Sequence, residues 1–310
     1  FMLPCCHMVH EKCMNNFILK TKKKDFKLKC PMCKTNIDEI ITENNAKFNK
    51  KYKQICIDMK SVKLNDTESD INYLYIPMSI VKFTTIVNTL LAINSTEEFN
   101  NIVNYVINAC NIKINVVNNM KKNKLLNIDN TLSIESCEKN VFIANHSHYL
   151  DSIIMRHLFK CGFIASDFIN QLDIGRIVAN KFDLLIFKRG VDKNVVNKIK
   201  TYLDDKKKIV IYPEGAMGSN ETLLKFRSGA FNVDAPVCPV VIKYNPFVWD
   251  DNFNQFVLKI LTHNEIKVDV YINDLQYPPF DDKKIEKVRN IMANAANLKK
   301  SRVSNRFFKD

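Results

Sequence analysis

Two groups of residues in this chain carry side chains that could do chemistry. The first is the run Asn145-His146-Ser147-His148-Tyr149-Leu150-Asp151. A histidine at the end of a strand and an aspartate about one helical turn later can meet. The carboxylate then fixes the imidazole tautomer and supports its protonated form. Such a pair is a base able to deprotonate an alcohol. Taken alone it favours a core or capping role, because six histidines make a chance match easy. The second group is Cys5-Cys6-His7-Met8-Val9-His10-Glu11-Lys12-Cys13 followed by Cys30-Pro31-Met32-Cys33. Thiolates and imidazoles in close pairs are the ligands of tetrahedral zinc sites, each Cys-x-x-Cys knuckle giving two from one tight turn. A chance cysteine cluster is the alternative.

The elements around His146 follow from periodicity. Ile80, Phe83, Ile86, Val87, Leu90 and Leu91 recur at helical spacing, and Ser95-Thr96-Glu97-Glu98 is a helix start before Phe99 to Ala109. After Lys139, short apolar runs alternate with helical stretches. VFIAN is expected as a strand and YLDSIIMRHLF as a helix, so His146 stands where the first gives way to the second. GFIAS, DLLIFK, KKIVIYP, PVCPVVIKY, FVLKIL and IKVDVYI are expected as strands. NVVNKIKTYLDD and DDKKIEKVRNIMANAANL are expected as helices. This alternation predicts the α/β class, with a mostly parallel central sheet flanked by helices and buried on both faces. Residues 1–38 form the Cys/His module, 39–75 a polar linker, 76–298 the main domain and 299–310 a basic tail.

The 310 residues are 46% hydrophobic and 25% charged, which excludes a disordered or collagen-like chain. Net charge is +13, and Lys outnumbers Arg 39 to 7. That balance fits an anion-binding face or the drift of an AT-rich genome, and composition does not separate the two. No aromatic-interleaved basic motif points to nucleic acid. Five of ten cysteines crowd the first 33 residues, the pattern of a reduced intracellular protein with one local metal module. The apolar stretch from Ile76 to Ile93 is interrupted by Lys82 and Asn88, so no conventional membrane span is expected there. No signal peptide is seen, and the opening residues read as the middle of a motif, with further sequence expected upstream of Phe1.

The cysteine cluster resembles the later part of a RING finger. The resemblance implies one zinc site from Cys5, His7, Cys30 and Cys33, and half of a second from His10 and Cys13. The missing Cys-x-x-Cys is expected before Phe1. RING fingers recruit ubiquitin-conjugating enzymes, so such a partner is implied where the module is complete.

Four ordered blocks carry a second resemblance. Asn145-His146 with Asp151 is followed by Arg189 at a strand's end. Pro213-Glu214-Gly215 comes next, with Lys225-Phe226-Arg227-Ser228-Gly229-Ala230-Phe231 behind it, then Pro236-Val237-Cys238-Pro239-Val240. Together these resemble the glycerolipid acyltransferases, which make phosphatidic acid and remodel lysophospholipids. The likeness covers roughly 76–298, including the Tyr-Pro-Pro segment at 277–279 before the closing helix.

It implies that His146 deprotonates the acceptor hydroxyl, that Asp151 orients and charge-stabilises His146, and that the alcohol attacks an acyl-CoA thioester. Asn145, Arg189, Pro213, Glu214, Gly215, Lys225 and Arg227 are the implied substrate-binding residues, with Arg189 gripping phosphate. No metal is needed in that site, and zinc belongs to the cysteine module alone. Where the family continues with Thr and often Arg, this chain has Ala216-Met217-Gly218-Ser219-Asn220. The expected partners are acyl-CoA, a lysophospholipid or glycerol-phosphate acceptor, and a membrane surface. The expected place is peripheral, on a cytosolic membrane face, held by 76–93 or by basic residues. The competing readings are a ubiquitin-ligase adaptor whose lipid-binding fold delivers a RING to membranes, and an inactive lipid-binding module.

Overall fold

The computed structural model describes residues 67, 71–93, 95–128, 130–135, 141–167, 184–187, 194–204 and 208–302. The Cys/His cluster and Arg189 lie outside the described residues. In chain order the elements begin with helices α1 (Ile76–Ala92) and α2 (Thr96–Ala109), then strands β1 (Ile112–Asn118), β2 (Leu125–Ile128), β3 (Thr131–Ile134) and β4 (Val141–Ala144). Next come α3 (Asp151–Phe159), β5 (Gly162–Ser166), β6 (Leu184–Phe187), α4 (Val195–Asp204), β7 (Ile209–Ile211) and β8 (Thr222–Leu223). The rest are β9 (Val237–Asn245), α5 (Phe253–Thr262), β10 (Ile266–Ile272), α6 (Asp282–Ala295) and β11 (Lys299–Lys300).

Seven strands form one sheet in the order β1-β10-β9-β4-β7-β5-β6. β9, β4, β7, β5 and β6 run in parallel, while β10 is antiparallel to β9 and carries β1 parallel to itself. The mostly parallel sheet read from the sequence is therefore present. β4 lies between β9 and β7 and all four of its residues are buried, which is why VFIA reads as a continuous apolar run rather than an alternating one. Phe142 and Ala144 join the layer containing Ile107 of α2, Ile154 of α3 and Phe256 of α5. Val141 and Ile143 join the layer containing Ile199 of α4 and Val288 of α6.

Local chemistry explains most element boundaries. Ser95 caps α2 in a complete capping box with Glu98. Asp281 caps α6 by accepting from the Lys284 N–H. One expectation fails: FVLKIL is not a strand but the body of α5. Asn252 caps that helix through the N–H groups of Asn254 and Gln255, and Phe256, Ile260 and Leu261 bury one helical face. Its five apolar letters fit either period, and the cap four residues upstream decides it.

Contacts reach past both ends of the 76–298 segment. Thr67 exchanges bonds with the Trp249 backbone, and Lys259 Nζ donates to Thr67 O at 2.8 Å. Lys299 and Lys300 pair with Thr222 and Leu223.

Helix α1 packs beside α2 through Leu90, Phe99, Ile102 and Val103. Its outer side exposes Met78, Ile80, Val81 and Leu91, and Leu74 just before it is 90% exposed. Tyr73–Ala92 is 20 residues long and apolar enough, by length and composition only, to cross a membrane. Of the two interruptions read from the sequence, the Lys82 ammonium turns inward and donates to Ala109 O at 2.8 Å, whereas Asn88 is exposed on the outer side.

Candidate active site

β4 stops at Ala144, and the next residues swing the chain into α3. Asn145 makes that stop firm. Its Nδ2 donates to Ile242 O at 2.9 Å and its Oδ1 accepts the Ile242 N–H at 2.7 Å. The amide therefore continues the β4–β9 ladder past its last pair, Ala144 and Val240, using a side chain in place of backbone.

Asp151 is the first residue of α3 and is fully buried. Its Oδ2 accepts from His146 Nδ1 (2.9 Å), Ser147 N–H (2.8 Å) and His148 N–H (2.9 Å), and its Oδ1 accepts from the Tyr244 hydroxyl (2.8 Å). All four neighbours are donors, so the carboxylate acts as acceptor only, at a helix end that favours negative charge. With Nδ1–H given to Asp151, the acceptor lone pair of His146 is on Nε2. The His146 side chain is 25% exposed, whereas Asp151 has no exposure. A base open on one side is held from behind by a sealed acid.

Three further contacts fix the imidazole. Its ring stacks on Tyr212 with centroids 4.3 Å apart, and the Tyr212 hydroxyl shares a bond with Ser152 Oγ at 3.0 Å. Its backbone N–H donates to Glu214 Oε1 at 2.9 Å, and its carbonyl accepts the Gly218 N–H at 2.8 Å. Glu214 Oε2 also accepts the Leu224 N–H at 2.7 Å. Burial pushes the Glu214 carboxyl up to about 8, against the pull of those two N–H groups and of Arg289. Gly215 closes the turn at φ 68°, a conformation that a side chain resists.

His148 has a different task. Its Nε2–H donates to Val248 O at 2.9 Å and its Nδ1 accepts the Leu150 N–H at 3.2 Å. Burial pulls its pKa down to about 4, so the ring is neutral at pH 7 and packs on Tyr244 and Phe256.

The structure brings together His146, Asp151, Asn145, Glu214 and the Pro213–Gly215 turn. The polar atoms of Asn145 and Glu214 meet backbone groups, so these two position the loop; the resemblance had implied substrate contacts for both. Pro213 is buried and its carbonyl accepts the Arg227 N–H, while the side chains of Lys225 and Arg227 are exposed. Tyr212, Asn220 and Tyr244 are parts of the site that the sequence reading did not assign. Asn220 grips Tyr244 as Asn145 grips Ile242, donating to its carbonyl at 2.9 Å and accepting its N–H at 3.0 Å. The signal available was two asparagines and a β9 whose residues alternate faces. No cysteine among the described residues joins the pair, and burial pushes the Cys110 and Cys161 thiols up to about 12. Among the described residues, no group of three or more His, Cys, Asp or Glu could hold a metal ion.

Comparison with known proteins agrees with this geometry. The Acyltransferase family model matches residues 123–243, the stretch containing His146, Asp151 and Glu214. Glycerol-3-phosphate acyltransferase 3 of Mus musculus is 36% identical over 90 residues, covering 26% of this chain and 20% of that protein. Lysophospholipid acyltransferase LPEAT1 of Arabidopsis thaliana is 26% identical over 182 residues, covering 50% of this chain and 44% of that one. The chain thus spans from a fifth to under half of the length of these curated relatives. The solved 1-acyl-sn-glycerophosphate (LPA) acyltransferase PlsC of Thermotoga maritima has 13% identity and a TM-score of 0.47, covering 73% of this chain and 91% of that one. On sequence, the segment that holds the His146–Asp151 pair is supported as an acyltransferase-family domain.

Proposed function

We propose that this chain transfers a fatty acyl group from acyl-CoA to the free hydroxyl of a lysophospholipid or glycerol-phosphate acceptor. The observation that carries the reading is the 2.9 Å bond from His146 Nδ1 to the sealed Asp151 carboxylate, which leaves Nε2 as the acceptor of a proton. In the reaction, Nε2 takes the hydroxyl proton as the oxygen attacks the thioester carbonyl carbon. The carbon–sulfur bond then breaks, and the departing CoA thiolate takes the proton from the imidazolium. Asp151 steadies that imidazolium. The thioester is already activated, so the protein has mainly to align and deprotonate. The exposed Lys225 is a cation that an acceptor phosphate could meet, beside the role that the resemblance gives Arg189.

Helix α1 supports attachment to a membrane surface. Its inner side is occupied by protein through Leu90, Lys82 and Ser79. On the remaining face the Thr85 and Thr89 hydroxyls donate to Val81 O and Thr85 O within the helix. A face of exposed Met78, Ile80, Val81 and Leu91, with the Thr85 and Thr89 hydroxyls bonded and Asn88 as its one amide, suits an interfacial helix lying in the plane of a bilayer.

The test is release of free CoA thiol in the presence of lysophospholipid and glycerol-phosphate acceptors. His146→Ala and Asp151→Asn are expected to lower turnover by roughly 10³-fold or more while leaving the fold intact. Undiminished turnover in both variants rejects the assignment.

A further inference from the structure

The geometry points to Tyr244 as a positioning residue whose hydroxyl holds Asp151 Oδ1 so that Oδ2 alone serves His146. This rests on His146 being the base. The two carboxylate oxygens are unequally engaged. Oδ2 collects three N–H donors, whereas among the described residues the donor to Oδ1 is the Tyr244 hydroxyl at 2.8 Å.

Tyr244 itself cannot swing aside. It is 2% exposed, Asn220 clamps both its N–H and its carbonyl, and its ring stacks on His148 at 4.3 Å. His148 is fixed in turn by Val248 and Leu150. The chain of contacts runs from β9 to the base without passing through any substrate group. The hydroxyl also draws negative charge toward Oδ1 and away from the edge facing His146. Losing it strengthens the hold of Asp151 on a protonated imidazole, and a base must be neutral to accept a proton. The predicted consequence is activity lost earlier on acidification.

The titratable and charged groups around the pair are Tyr212 stacked on His146, His148, Glu214 with Arg289 near it, and Tyr244. Burial and the Asp151 charge hold the phenols of Tyr212 and Tyr244 well above their usual range, so Tyr244 remains a donor throughout the working range. His148 changes charge near 4 and Glu214 near 8.

Tyr244→Phe keeps the ring and its stacking and deletes only the hydroxyl. CoA release is measured against pH in wild type and variant, beside an NMR titration of the His146 ring assigned by its loss in His146→Gln. The acid-side midpoint of kcat/KM and the NMR midpoint are both expected to rise by about one pH unit. The high-pH plateau and KM are recorded beside the midpoints and are free to change. Midpoints coincident with wild type overturn the inference, whether or not the plateau or Tm falls, because a purely structural role lowers those without moving a midpoint. If wild type releases no CoA, the catalytic reading fails while the NMR titration still decides the role of Tyr244.

Discussion

Replacing Asn145 by Ala should destabilise the protein, and not only inactivate it. The Asn145 amide satisfies both the N–H and the carbonyl of Ile242, in a residue 3% exposed beside a fully buried Ile242. Truncation leaves both groups buried. An orphaned buried donor or acceptor costs about 1–3 kcal/mol, so the pair costs about 2–6 kcal/mol. That is a large part of the 5–15 kcal/mol by which domains of about this size are typically stable. At about 2–4 °C per kcal/mol, the midpoint of thermal unfolding should fall by roughly 10 °C. Trp249 is the single tryptophan and is buried, so its fluorescence reports the transition directly. Asn220→Ala, which removes the matching clamp on Tyr244, should cost a similar amount. If Asn145→Ala loses activity but unfolds where wild type does, the amide acts on substrate and the clamp argument is wrong.

Two further outcomes follow from the same contacts. Burial raises the Glu214 carboxyl from 4.5 to about 8, so the folded chain holds a proton that the unfolded chain has released. Its contribution is fully present below about 4.5 and is lost as pH rises through about 8. Urea unfolding across that interval should show stability falling with pH, and Glu214→Gln should flatten the slope; an equal slope in the variant removes Glu214 as its source. On α1, Val81→Asp with Met78→Asp puts two charges on the exposed face without touching Leu90 or Lys82. Flotation with anionic phospholipid vesicles should lose most of the bound protein, at an unchanged Tm. Retention equal to wild type excludes that face as the membrane contact.

The His146–Asp151 contact was legible because both its residue types and its spacing are local. A five-residue separation across a strand-to-helix turn fixes where His146 and Asp151 can meet, and the buried run VFIA announces the strand before them. The central sheet was legible for the same reason, as a succession of short apolar runs. The segment 256–261 was misread because five apolar residues satisfy both periods, and the deciding group, Asn252, lies outside the run. β1 to β3 went unassigned because most of their residues are only partly buried and β2 and β3 are four residues each. Lys82 was counted as a charge on a hydrophobic helix, since a sequence does not say which way a lysine stem leans.

What no local pattern could supply is the part of the site made by β9. Ile242 and Tyr244 are 97 and 93 residues from the groups they hold, Asn145 and Asp151. The resemblance put Asn145 and Glu214 among the substrate contacts, yet their polar atoms end on backbone in the structure. There is a physical reason for this arrangement. A partly exposed base can keep one orientation only if its loop cannot shift, and a loop without helix or strand bonds must be held by side chains. Asn145 holds the loop's start, Glu214 the N–H of His146, and Asp151 the N–H groups of Ser147 and His148. Buried amides and carboxylates suit that work because each can bond two backbone groups at once. The polar residues around His146 therefore divide by burial: Asn145, Asp151 and Glu214, sealed from solvent, fix the loop, whereas the imidazole alone among them keeps an open side.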